Sequence, residues 1–144
     1  FGDIGNIRTN KASFSHVGLT EFEDTGVVSF DFMNGGMGVL SYSTSVVRKN
    51  FESSITIIGS KGTVKVAGQY MTDVVYCDIE DGDMPGVESF AAVGLPDFVP
   101  AGSANHYQMV QNVIDKINQK GVISTNALEG LKVVDIIERI YQSS

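Results

Sequence analysis

The chain has 144 residues, of which 42% are hydrophobic and 19% are charged, and this size suits one globular domain. Its net charge is −7 and its Lys and Arg residues are mostly scattered singly, which excludes a nucleic-acid partner because such a partner needs a basic stripe. No apolar run approaches the roughly 20 residues of a membrane-spanning helix. The single cysteine, Cys77, cannot form an internal disulfide, and its context predicts a structural thiol in a reducing, cytoplasmic setting.

The first half of the chain shows the alternation of apolar and polar residues that is typical of β-strands. An edge strand is predicted over 7–14 and a second strand over 27–32, with a turn at 21–26 between them. The glycine-rich segment 34–36 can adopt the positive φ angles of a tight hairpin. The chain then returns as a third strand over 37–47.

Two further strands, 53–58 and 63–66, flank the turn 59–62, and another strand is predicted over 73–79. The turn reads Gly-Ser-Lys-Gly, but a phosphate-binding loop must open a helix, so a hairpin is predicted instead. Five or six strands joined by hairpin-like turns predict an open, mostly antiparallel sheet.

The chain closes with two predicted helices. The first runs from an N-cap at Ser103 to Gly121, and the second is capped by Thr125 or Asn126. Strands followed by helices predict an α+β fold in which the helices pack on one face of the sheet. The intervening segment 80–102 holds all three prolines and is long enough to form a lid, an arm onto a neighbouring subunit or a disordered excursion.

Two places carry candidate substrate-binding residues. Asn105 and His106 lie at a helix start, where free backbone N–H groups favour an anionic ligand; a capping and packing cluster is the alternative. Arg48, at a strand end, has the geometry to hold a carboxylate or pyrophosphate with two N–H groups; a solvated strand end is the alternative. His16 and His106 stand apart from other metal ligands in the sequence, so no metal site is predicted.

Four stretches resemble the C-terminal sheet domain of the Gfo/Idh/MocA oxidoreductases, and together they cover about 26–141. They are DFMNGG at 31–36, NFESSITIIGSKGTVKV at 50–66, Asn105-His106 at a helix start, and NALEGLKVVDIIERIYQS at 126–143. Within the family the chain most resembles the dehydrogenases of nucleotide-linked N-acetyl amino sugars in surface-polysaccharide, including lipopolysaccharide, biosynthesis.

The resemblance implies that residues 1–144 are a single domain, the C-terminal substrate-binding and oligomerisation half of an NAD(P)-dependent dehydrogenase. The family's nucleotide-binding glycines, its Glu-Lys-Pro lysine and its Asp-x-x-x-His pair have no counterpart in this sequence. We therefore assign no catalytic residue. We expect NAD or NADP to bind the full-length parent, and this chain alone to be inactive and to bind neither. A stand-alone, non-catalytic sheet module for binding or scaffolding is the alternative.

The predicted sheet also suggests how the parent assembles. One face carries apolar residues suited to a core beneath the helices: Val28, Phe30, Phe32, Leu40, Tyr42, Thr44 and Val46. The other face is mixed but weakly charged: Val27, Ser29, Asp31, Val39, Ser41, Ser43 and Ser45. The second face suits a sheet-to-sheet contact between subunits related by a two-fold axis, so a homo-oligomer is predicted.

Overall fold

The structure is a computed structural model that describes residues 1–82 and 104–143. Eight elements follow one another along these residues. They are β1 (Ile4–Ala12), β2 (Thr25–Phe32), β3 (Met37–Ser43), β4 (Ile55–Gly59), β5 (Gly62–Ala67), β6 (Asp73–Ile79), α1 (Ala104–Ile117) and α2 (Ala127–Gln142). The predicted α+β class is confirmed. The predicted N-cap Ser103 and most of the segment 80–102 lie outside the described residues.

The described strands form two open antiparallel sheets, one with the order β1-β2-β3 and one with the order β4-β5-β6. The antiparallel pairing is as predicted, but the sequence predicted one sheet where there are two. The difference arises after β3, because residues 44–54 form a connection longer than the two to five residues of a hairpin loop. Each sheet is therefore a meander of its own.

The chain divides into two compact units. The first consists of Phe1–Arg48 together with the C-terminal segment from Thr125, and the second consists of Lys49–Ser124. The first unit contains the β1-β2-β3 sheet and α2, so it is built from both ends of the chain.

The core of the first unit lies on the face of its sheet that α2 covers. Val28 is fully buried and pairs with Thr9 on one side and Leu40 on the other. In the neighbouring row Gly26 pairs with Tyr42, and a Cβ atom at Gly26 would lie 2.5 Å from the tyrosine ring. The missing side chain therefore makes room for an aromatic ring that covers the glycine, a known device of β-sheets.

Helix α2 is fixed to β1 by polar contacts near its C-terminal end. Arg139 donates hydrogen bonds to the Ile4 carbonyl and to Asp3, both at 2.9 Å. The Thr9 hydroxyl donates to the Ile140 carbonyl at 3.3 Å and lies 2.8 Å from the Ser143 hydroxyl. The other end of α2 is closed by a capping box in which the Asn126 side chain accepts from the N–H groups of the first turn. The sequence left Thr125 or Asn126 as the cap, and Asn126 fills that position.

The second unit contains the predicted hairpin. Gly59 and Gly62 pair at the end of β4 and β5, so the turn joins two antiparallel strands as expected. Gly62 has a φ of +154°, and a Cβ atom there would lie 2.5 Å from the Asp78 carbonyl oxygen. Cys77 is buried on β6, in agreement with a structural thiol. Helix α1 ends at Ile117, earlier than the predicted end at Gly121.

Candidate functional site

A buried carboxylate organises one end of the first unit. Asp24 precedes β2, is 1% exposed, and accepts hydrogen bonds through Oδ2 from three consecutive N–H groups. The donors are the backbone groups of Phe14, Ser15 and His16, at 2.9, 2.7 and 3.0 Å. The Thr25 hydroxyl donates to Oδ1 at 2.9 Å. Asp24 thus holds the loop after β1 in a fixed turn.

The surroundings of Asp24 keep it ionised. Burial alone raises the pKa of a carboxyl group, but the hydrogen bonds from Ser15, His16, Thr25 and Phe14 outweigh it and hold the pKa of Asp24 well below the usual range. The His16 Nδ1 atom lies 3.5 Å from Oδ2. All these groups stabilise the carboxylate in place, so its role is positional.

A second acidic residue, next to the first, joins the sheet to α2. The Glu23 Oε1 atom accepts hydrogen bonds from the hydroxyl groups of Tyr42 on β3, at 2.6 Å, and of Tyr141 on α2, at 2.8 Å. The Lys11 ammonium lies 3.9 Å from the centre of the Tyr141 ring. We call these four residues the Glu23 cluster.

The Glu23 cluster shifts the proton affinity of its members. The hydrogen bond from Tyr42 is the main cause that lowers the pKa of Glu23. Burial, followed by the hydrogen bond to Glu23 and its charge, raises the pKa of Tyr42 to about 12. The hydrogen bond to Glu23 also raises the pKa of Tyr141. Both phenols therefore stay protonated at neutral pH and act as hydrogen-bond donors.

Sequence reasoning missed the Glu23 cluster and the Asp24 turn. It read 21–26 only as a turn, because the partners of its acidic residues are remote: Tyr141 lies 118 positions after Glu23. The one local signal was an acidic pair directly ahead of a strand, and Asp is also a typical residue of ordinary turns.

The other face of the β1-β2-β3 sheet, which we call the open face, carries no helix of the first unit. Paired residues on it include Asn10 with Val27, and Val27 with Ser41. Val27 is 46% exposed and Val39 is 71% exposed. A pocket of about 340 Å³ opens near the β1 end, lined by Asn10, Lys11, Ala12, Phe14, Thr25, Gly26 and Val27.

The predicted substrate-binding residues fall in different parts of the molecule. Arg48 is exposed in the bend after β3 and belongs to the first unit. Asn105 and His106 lie in the first turn of α1, in the second unit, and His106 is exposed. A role for these three residues in binding stays a prediction.

Neither the turn between β4 and β5 nor the start of α2 has the form of a dinucleotide site. Such a site needs a strand, a glycine-rich turn and a helix in succession, but the Gly59–Gly62 turn joins two strands. The first amide groups of α2 are already bonded to Asn126. Within 1–82 and 104–143 no three His, Cys, Asp or Glu side chains are grouped to hold a metal ion. Neither helix in these ranges is long and apolar enough to cross a membrane.

Comparison with known proteins identifies the family. Residues 2–144 match the model of the C-terminal α/β domain of the GFO/IDH/MocA oxidoreductase family. The chain therefore belongs to this family, as the sequence resemblance predicted. No protein of curated function matches the chain.

Solved structures with the same fold include two WlbA dehydrogenases, each in complex with NADH and UDP-GlcNAcA. The Bordetella pertussis enzyme is 25% identical, with a TM-score of 0.71 over 98% of this chain. The Chromobacterium violaceum enzyme is 26% identical, with a TM-score of 0.75 over 99% of this chain. This chain spans only 36% and 38% of their respective lengths.

A more distant structure shares the fold alone. It is an oxidoreductase from Agrobacterium radiobacter in complex with NAD⁺, L-tartaric acid and magnesium, and it is 18% identical. Its TM-score is 0.68, with 98% of this chain and 41% of the other chain covered.

Proposed function

We propose that this chain is the C-terminal part of an NAD-dependent dehydrogenase that acts on a UDP-linked N-acetyl amino sugar. One observation carries the proposal: almost the whole chain matches two WlbA dehydrogenases that hold NADH and UDP-GlcNAcA, at 25% and 26% identity. We assign NAD to the remaining part of the parent protein, because the Gly59–Gly62 turn joins two strands and so lacks the strand–glycine–helix order of a dinucleotide site. Surface-polysaccharide synthesis in the cytoplasm is the corresponding setting.

Within this chain we assign substrate contacts to Arg48, Asn105 and His106. The exposed guanidinium of Arg48 suits a charge-assisted pair with a carboxylate or pyrophosphate. Asn105 and His106 lie in the first turn of a 14-residue helix, where the backbone favours negative charge. UDP-GlcNAcA supplies such charge through its diphosphate and its acid group.

We further propose that the open face forms the contact between subunits. It presents exposed apolar side chains, such as Val27 and Val39, next to the small hydroxyl side chains of Ser41 and Ser43. Exposed apolar area of this kind on a sheet is commonly covered by a second surface.

The substrate assignment is tested in the intact parent with Arg48→Ala and His106→Ala. Each is expected to raise the dissociation constant for UDP-GlcNAcA by about 10-fold or more, because a hydrogen bond to a charged group is lost. The matched controls are Lys49→Ala and Gln108→Ala, at exposed neighbouring positions. Equal affinities for variants and controls would remove these residues from the site.

The proposal that NAD binds outside this chain is tested by calorimetric titration of the 144-residue chain with NAD and with NADP. We expect no binding, and micromolar affinity for either would contradict the proposal. A parent that binds nicotinamide but neither binds nor oxidises UDP-linked amino sugars would reject the proposed substrate class. A parent without any dinucleotide binding would favour the non-catalytic module.

A further inference from the structure

The turn between β2 and β3 contains the one Asn-Gly pair of the sequence, Asn34-Gly35. The Phe32 carbonyl accepts a hydrogen bond from the Gly35 N–H group at 2.9 Å, and the Phe32 N–H group donates to the Gly36 carbonyl at 3.0 Å. Gly35 has a φ of +97°, the left-handed conformation that is typical of short hairpin loops. Asn34 and both glycines are exposed. The pair therefore lies at the tip of the hairpin, in contact with water.

The backbone nitrogen of Gly35 is accessible to the side chain that precedes it. In any asparagine, attack of the next backbone nitrogen on the side-chain Cγ closes a five-membered ring. Glycine permits this attack best, because it has no side chain to shield its nitrogen and its backbone is the most flexible. Apart from its chain neighbours, no heavy atom lies within 4 Å of the place where a Cβ of Gly35 would be.

The side chain of Asn34 is also not held by hydrogen bonds. It lies beside Gly2, but within 1–82 and 104–143 its amide group has no hydrogen-bond partner. Four other asparagines in these ranges have their side chains bonded to other groups, and they are Asn6, Asn50, Asn112 and Asn126. Asn34 therefore combines an unbonded amide with a following glycine.

We infer that Asn34 is a site of spontaneous covalent modification, in which its side-chain amide is replaced by a carboxylate. The Gly35 nitrogen loses its proton and bonds to the Asn34 Cγ atom. The Cγ–Nδ2 bond breaks, and the amide nitrogen leaves as ammonia. Water then opens the cyclic imide. Opening at the side-chain carbonyl leaves aspartate, whereas opening at the main-chain carbonyl leaves isoaspartate.

The hydrogen bond from Gly35 to Phe32 controls how fast the folded protein reacts. The Gly35 nitrogen must leave this bond before it loses its proton. The bond lies at an exposed hairpin tip, and such places open locally at a small cost in free energy. The reaction therefore proceeds from the folded protein, but more slowly than from the unfolded chain.

The modification has a structural consequence, because isoaspartate inserts the Cβ atom of residue 34 into the main chain of the turn. The turn supports the start of β1: Phe32 pairs with Ile4, and the Met33 N–H group donates to the Asp3 carbonyl at 2.8 Å. Arg139 of α2 binds the same two residues of β1 and its approach, Ile4 and Asp3. Isoaspartate should therefore loosen both the start of β1 and the attachment of α2.

The test is incubation of the purified intact protein at mildly alkaline pH, followed by digestion with trypsin and mass spectrometry. Cleavage after Lys11 and Arg48 releases the peptide 12–48, in which Asn34 is the one asparagine and no glutamine occurs. We expect its mass to rise by the difference between an oxygen atom and an NH group, in two products that separate by chromatography. A sample digested without incubation gives the starting level.

The same digest contains a matched control. Cleavage after Lys49 and Lys61 releases the peptide 50–61, whose one asparagine, Asn50, has a bonded side chain and is followed by phenylalanine. Its mass should stay constant. An unchanged peptide 12–48 overturns the inference, and so does a change that reaches the peptide 50–61 first.

The variant Asn34→Gln tests the structural consequence. Glutamine keeps an amide at the turn, but its attack would have to close a six-membered ring, which forms far more slowly. Incubated wild type should melt about 5 °C lower than fresh protein, because hydrogen bonds of the turn are lost. Incubated Asn34→Gln should melt like its fresh counterpart. Modified wild type with an unchanged melting temperature would overturn the assigned effect on β1 and α2.

Discussion

Two consecutive acidic residues, Glu23 and Asp24, stabilise different parts of the first unit. Asp24 points inward and accepts hydrogen bonds from the loop after β1, while Glu23 accepts from a strand and from the last helix. Both are ionised for the same physical reason, since each carboxylate is surrounded by donors that favour its charged form. Their substitution should therefore affect different contacts.

Replacing Asp24 by Asn should lower the melting temperature by roughly 10 °C, because an amide cannot accept all the hydrogen bonds at Oδ1 and Oδ2. The effect should depend on pH. The pKa of Asp24 is lower in the folded chain than its ordinary value of 3.8, so the unfolded chain takes up its proton first as the pH falls. The stabilisation is complete at neutral pH and declines progressively below about pH 4.

Thermal unfolding of wild type and Asp24→Asn between about pH 3 and pH 7 checks this expectation. The two curves should converge toward the acid end of the range. The exposed Asp78→Asn serves as the control and should follow the wild type. A difference between Asp24→Asn and wild type that stays constant over the whole range would contradict the assigned role of the carboxylate.

Removing one hydroxyl of the Glu23 cluster tests the attachment of α2. Tyr141→Phe should lower the free energy of unfolding by about 1 kcal/mol, because the ring stays and only its hydrogen bond to Glu23 is lost at a partly exposed site. Denaturant unfolding measures the change. Tyr76→Phe, at a tyrosine of comparable exposure on β6, should cost less. An equal decrease in the free energy of unfolding in the two variants would show that the hydrogen bond to Glu23 does not stabilise the attachment of α2.

At the scale of elements, the sequence predicted the features that depend on interactions between neighbouring residues. The hairpin of β4 and β5 follows from two glycines around a two-residue turn, and the start of α2 follows from a capping residue with Glu129 three positions later. The docking of α2 on β1 depends on contacts between remote residues, such as Thr9 and Ser143, 134 positions apart. No short-range pattern specifies such pairs.

The same contrast between local patterns and remote contacts explains which candidate site residues the sequence suggested and which it missed. The sequence suggested Arg48 and His106 as candidates because isolated charged or polar groups at element ends are visible in a sequence. It overlooked Glu23, since nothing near that residue shows that two tyrosines converge on it. The family itself was recognisable because its strand and helix motifs follow one another in order along the chain.

Gly62 offers a test of the hairpin. Gly62→Ala should lower the free energy of unfolding by about 2 kcal/mol, because a φ of +154° is strained for alanine and its Cβ would approach the Asp78 carbonyl. Gly130→Ala is the matched control with the opposite sign. It lies in α2, and apart from the backbone of the helix itself no heavy atom lies within 4 Å of the added Cβ, so alanine should stabilise the helix by about 0.5–1 kcal/mol. Equal effects at the two positions would refute the assigned turn geometry.

At the scale of the whole molecule, the open face leads to a prediction about assembly. The purified chain is expected to form a homo-oligomer through this face even without the rest of the parent. Ser41→Lys should weaken the assembly, because it places a charge in an otherwise weakly charged contact next to Val27. Light scattering at tens of micromolar gives the masses. A monomer mass for the unchanged chain would refute the prediction, and the charge-conserving control Arg8→Lys should leave the mass unchanged.

The discontinuity of the first unit has a consequence for biosynthesis. Its three strands leave the ribosome well before α2, which lies more than 80 residues after β3 with the whole second unit between them. Until α2 is synthesised, the apolar side of the nascent sheet around Val28 therefore stays exposed to solvent. Such exposure favours association with chaperones. Premature termination before α2 would leave that side permanently bare, so a truncated product should be a substrate for proteolysis and not a smaller working domain.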